Sequence, residues 1–128
     1  MDIETATNDR IEQELLDRES VIARARAEQM VLLREVDRRQ TPLASGCGSL
    51  GEWVRGRLDV APETARDLVA TTKHLEQLPD VEDAVTAGDI GFDRAVAVGR
   101  FAGRDDTADI LNEMAGFDIA GIRHQAAK

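Results

Sequence analysis

The chain has 128 residues and a net charge of −9, enough for one domain whose core, at 3% aromatic content, must come from Leu, Val, Ile, Ala and Met. No apolar run is long enough to span a membrane, the acidic start MDIETATNDR is unlike a secretory signal, and the single Cys47 excludes an intrachain disulfide. The negative charge is concentrated in residues 76–118, with 3 Arg against 11 acids, so that half makes a poor phosphate-binding face.

Residues 8–39 read as one long amphipathic helix. Ile11, Leu15, Ile22, Ala25, Leu32, Leu33 and Val36 recur at helical steps and share a stripe, which Arg18 and Gln29 interrupt. Glu14 with Arg18 and Glu35 with Arg39 stand acid-before-base at four-residue spacing. Such a stripe needs a cover. Packing against the rest of the fold is the first expectation, and a homodimer through residues 8–39 the second.

Gln40 to Gly48, with Pro42, Gly46 and Gly48, reads as a break. Ser49-Leu-Gly-Glu52 then has the form of a capping box and opens a short helix with Leu50, Trp53, Val54 and Leu58 inward. Asp59 and Pro62 mark the start of the next helix, which runs to Leu75 with Ala65, Leu68, Val69 and Thr72 on its apolar side. A fourth helix is predicted over Val81–Ala87, stopped by Gly88, and a fifth over Phe92–Ala102 with Phe92, Ala95, Val96, Gly99 and Ala102 on one stripe. Asp105 or Asp106 caps a sixth through Met114, and Phe117-Asp118 opens a seventh still running at Lys128. No strand alternation occurs. The expectation is an all-α single domain over 1–128: a long first helix, then a bundle of about six short helices over 49–128 with helix-turn-helix-like pairs, truncated at its C-terminus.

The pair Ser49–Leu58 and Pro62–Leu75 is the best candidate for nucleic-acid contact, because a short turn and a small Ala65 early in its second helix suit a helix-turn-helix. Its exposed side offers Arg55, Arg57, Arg66 and Lys73, with His74, to phosphates; Glu52, Asp59, Glu63 and Asp67 oppose them. Asp105, Asp106 and Asp109, like Asp80, Glu82 and Asp83, read as helix-start acids that oppose the macrodipole, not as a Mg²⁺ site. His74 and His124 lie fifty residues apart with no Cys pair to complete a zinc site, and Cys47 reads as a plain thiol. No metal, cofactor or small-molecule ligand is expected, and no catalytic set is recognisable.

Several features recur in one order: Gly48 with Leu50 and Trp53, Pro62–Ala65 ahead of Leu68, Leu75 with Leu78-Pro79, and Ala87-Gly88-Asp89-Ile90 followed by Ala95. In this the chain resembles the 13E12 repeat family of high-GC Gram-positive bacteria, also known as domain-of-unknown-function family 222. Gly91 departs from the pattern, standing where a serine-type cap is expected. Many members are longer and end in an HNH-type endonuclease domain, and the likeness here covers only their N-terminal helical region. The resemblance implies a non-catalytic N-terminal module of an HNH-endonuclease-like, DNA-associated protein, lacking the nuclease residues; the single Cys47 sets a reducing cytoplasm as the expected compartment. The alternative is an interaction or dimerisation module acting through the first helix.

Overall fold

A computed structural model of the chain describes residues 1–102. The regular elements are α1 (Asn8–Arg38), α2 (Thr41–Ala44), α3 (Leu50–Leu58), α4 (Pro62–His74), one 3₁₀ turn (Leu75–Gln77), α5 (Pro79–Thr86) and α6 (Phe92–Ala102). The chain is all-α among the described residues, with the long first helix as expected. The helices expected after Asp105 and Phe117 lie outside the described residues, together with Asp106, Asp109 and His124.

Local chemistry sets most of the boundaries. The Thr7 hydroxyl accepts from the Arg10 N–H at 3.1 Å and starts α1, and the Ser49 hydroxyl accepts from the Glu52 N–H at 3.1 Å to start α3. Glu52 reaches back as a capping-box acid does, although it accepts from the Gly48 N–H, at 3.0 Å. Pro62 and Pro79 occupy first helical positions. α5 begins at Pro79, two residues ahead of the expected Val81, and two further boundaries differ from expectation. The break after α1 contains the single turn α2, begun beside Pro42 once Gln40 has reversed the chain in a left-handed conformation. Asp59 does not cap α4; it ends α3 with φ of 52°.

The core forms in two parts. Ala23, Ala27 and Met30 of α1 meet Leu75, Leu78, Val81, Val85 and the α6 residues Ala95, Ala97 and Val98 in the larger one. Leu33, Leu50, Val54, Ala65 and Leu68 form the smaller, and Phe92 packs against both. Each fully buried Leu, Val or Met contributes roughly 1.5–3 kcal/mol. On α6 every residue from Ala95 to Gly99 is buried, including Ala97 and Val98, which lie off its expected stripe. It packs against α1, α4 and α5.

Of the predicted stripe of α1 only its C-terminal end, Leu33 with Val36 beside it, enters the core. Leu15, Ile22 and Leu32 are exposed, Ile11 and Val36 are half-buried, and only Leu33 is buried. The face turned inward carries Ala23, Ala27 and Met30, a little over a third of a turn away. Two small alanines and the long, flexible Met30 fill this position.

Polar ties fix that packing. The Arg34 guanidinium donates twice to the Thr72 carbonyl, at 2.9 and 3.2 Å, and pairs with Glu82 and, at 3.3 Å, with Glu76. One side chain thereby joins α1 to the end of α4, the 3₁₀ turn and α5. The Ser20 hydroxyl donates to the Gly88 carbonyl at 3.0 Å. Gly88 has φ of +79°, and a Cβ there would lie 3.1 Å from the Ser20 carbonyl oxygen, so both conformation and space call for glycine.

Candidate nucleic-acid interface

α3 and α4 form a helical hairpin joined by the three residues 59–61, with Ala65 (3% exposed) in the smaller core between them. Beside this crossing runs an open groove of about 660 Å³. Ala65, Val69 and Ala70 line it together with Arg55 of α3 and Arg66 and Lys73 of α4. Arg66 and Lys73 are seven residues apart, so they recur on one side of α4 about 10.5 Å along its axis.

The groove differs in charge from the segment that builds it. Residues 49–75 hold four cations and four acids, yet of those acids only Glu52 lines the groove, and it is engaged at the Gly48 N–H. Asp67 pairs with Arg100 of α6, while Asp59 lies in the turn and Glu63 in the first turn of α4. Arg55, Arg66 and Lys73 are exposed, and among the described residues no ion pair engages them. Three guanidinium or ammonium groups along an open groove suit contacts to successive backbone phosphates.

Arg57 is not brought to this place. Its guanidinium lies over the Trp53 ring at 5.9 Å from the centroid and does not line the groove. His74 stands at the end of α4, half-buried, where it both lines the groove and packs against α6. A Cβ on Gly99 would lie 3.1 Å from its buried Nδ1, which has no hydrogen-bond partner among the described residues. The groove itself was the feature that sequence reasoning missed. The seven-residue interval between Arg66 and Lys73 was legible, but that the acids would turn elsewhere was not.

Elsewhere, Asp80 and Glu82 occupy the first turn of α5, as expected, with Glu82 held by Arg34. Among the described residues no group of three or more His, Cys, Asp or Glu is placed to hold a metal ion, and no helix is long and apolar enough to cross a membrane. Cys47 is half-buried between α2 and α3.

A family model described as domain of unknown function (DUF222) matches residues 12–113, which takes in all of α1 but its first four residues, and α2 through α6. No curated protein and no solved structure matches the chain. The chain belongs to the DUF222 family.

Proposed function

We propose that this member of the family is the non-catalytic helical module of an HNH-endonuclease-like protein, that it works in the cytoplasm, and that it holds DNA along the α3–α4 groove. One observation carries the DNA reading: Arg55, Arg66 and Lys73 converge on an open groove from which all acids of that segment but Glu52 are turned away. The link to HNH nucleases rests on the sequence likeness described above, and bond-breaking groups belong in this reading to a separate nuclease domain.

The test is duplex binding by the full chain across a salt series. Changing Arg55, Arg66 and Lys73 together to Ala should weaken binding and reduce the slope of log affinity against log salt by about 3, one for each lost phosphate contact. Arg57→Ala serves as the internal comparison and should leave the slope nearly unchanged. Equal salt slopes for the triple variant and the parent chain would sink the reading. The purified chain should cleave no DNA in the presence of Mg²⁺ or Mn²⁺.

A second reading, self-association through α1, is favoured by the large apolar side chains that this helix leaves outside the fold.

A further inference from the structure

The exposed side of α1 has an order of its own. From Ile11 to Val36 its positions advance by alternating steps of four and three, the spacing of a two-stranded helical seam about 38 Å long. Ile11, Leu15, Ile22, Ala25, Leu32 and Val36 are its apolar members, with Arg18 and Gln29 between them. Leu15 is 62% exposed, Ile22 50% and Leu32 65%. The contacts of the helix with the larger core, through Ala23, Ala27 and Met30, lie on another side; near its C-terminal end Leu33 is buried in the smaller core and the half-buried Val36 packs against it, so the seam is most open from Leu15 to Leu32. Along the middle of the seam a groove of about 360 Å³ runs between Ile22, Ala25, Arg26 and Gln29 on one side and Leu58 and Val60 on the other.

Resting on the second reading above, we infer that this face binds a second copy of the chain, with the two α1 helices antiparallel. The order of residues along the seam selects both the partner and the direction. Read from either end, the seam has the same pattern: two apolar positions, one polar, two apolar, one polar, two apolar. An antiparallel copy therefore sets Ile11 against Val36, Leu15 against Leu32 and Ile22 against Ala25. It also sets Arg18 against Gln29, whose side-chain carbonyl accepts from Arg26 of its own helix and has a second lone pair for the guanidinium.

The parallel in-register alternative stacks Arg18 on Arg18 and brings Glu14 opposite Glu19 of the other helix, both repulsive. On the antiparallel flanks Glu19 instead comes beside Arg26 of the other copy, twice in the dimer; in its own chain Arg26 lies over the Phe92 ring and donates to Gln29, so it adds a positive field there while keeping those contacts. Glu14 faces Glu35, but each of these acids already has arginine partners in its own helix, Arg10 and Arg18 for Glu14, Arg38 and Arg39 for Glu35.

The experiment uses the full chain. Sedimentation equilibrium should show a monomer–dimer equilibrium, and Leu32→Glu should raise the dimer Kd at least ~10-fold while the helical circular dichroism stays unchanged. Direction is read separately. In a Cys47→Ser background, Leu15→Cys and Leu32→Cys chains are mixed and oxidised, and the disulfide between unlike chains should dominate over both like-chain products. A chain that stays monomeric at every concentration, because its own remaining residues or a different protein cover the seam, overturns the inference and the second reading together. A dimer that yields mainly like-chain disulfides overturns the antiparallel arrangement alone.

Discussion

α1 and α6 solve the problem of burial in opposite ways. α6 has 11 residues and is surrounded on all sides from Ala95 to Gly99, so its small side chains serve three neighbouring helices at once. α1 has 31 residues, of which the buried ones are Ala23, Ala27, Met30 and Leu33, and its Leu15, Ile22 and Leu32 remain in solvent. Side-chain size therefore does not decide which face of a helix enters a core. On α1 two alanines share the inward face with Met30 and Leu33, while Leu15, Ile22 and Leu32, no less apolar, stay exposed.

The largest effect expected from this contrast lies between two residues of α1 that are two positions apart. Met30 is fully buried in the larger core and Leu32 is 65% exposed. Met30→Ala should cost about 2–5 kcal/mol in chemical denaturation, through lost burial and the cavity left behind. Leu32→Ala should stay within about 0.5 kcal/mol at concentrations where the chain is monomeric. Equal losses at the two positions would mean that the faces of α1 have been assigned the wrong way round.

A smaller effect separates packing from polar attachment. The Arg34 side chain is 23% exposed, and it is the group that holds the end of α4 and α5 against α1. Arg34→Ala leaves the Thr72 carbonyl and the Glu82 carboxylate without this donor and should cost about 2 kcal/mol. Arg34→Lys should recover only part of that, because a single ammonium cannot reproduce the planar fork that serves both groups. An alanine variant that unfolds at the parent denaturant concentration would show that apolar contacts alone position α1.

How much of this was open to sequence reading depends on whether the cause is local. Caps, prolines and the left-handed Gly88 act within a few residues, and the expected starts at Ser49 and Pro62 and the stop at Gly88 stand in the structure. Asp59 was placed on the wrong helix because an Asp before a Pro-opened helix looks like a cap, while its backbone instead terminates α3. The inward face of α1 was hidden because Ala23 and Ala27 carry little hydrophobic signal beside Leu15 and Leu32. Their burial depends on α5 and α6, which are distant in sequence. The same holds at the groove. Arg55, Arg66 and Lys73 could be named from spacing, whereas the removal of Asp67 to Arg100 and of Arg57 to Trp53 is a property of the packed helices.

The smallest effect lies at the C-terminal end of α1, where electrostatics act with little help from burial. Hydrogen bonds from Arg38 and then Arg39 hold the Glu35 carboxyl at about 2, well below the ordinary carboxylate range. Because the folded value is depressed, whatever stability this cluster supplies is fully present above the unfolded glutamate value near ~4.3. It is lost as pH falls through that value towards about 2. The groups are exposed, so the melting temperature should scarcely register the change, and salt should weaken it further. The carboxyl resonance of Glu35, followed through an acid titration, reads the effect directly. Arg38→Gln should move its midpoint up towards ordinary glutamate, and Arg39→Gln should move it less, since Arg38 supplies the larger share. A midpoint already in the ordinary range in the parent chain would mean that these arginines are solvated as independent charges, leaving the end of α1 stabilised only by the contacts it makes with the bundle.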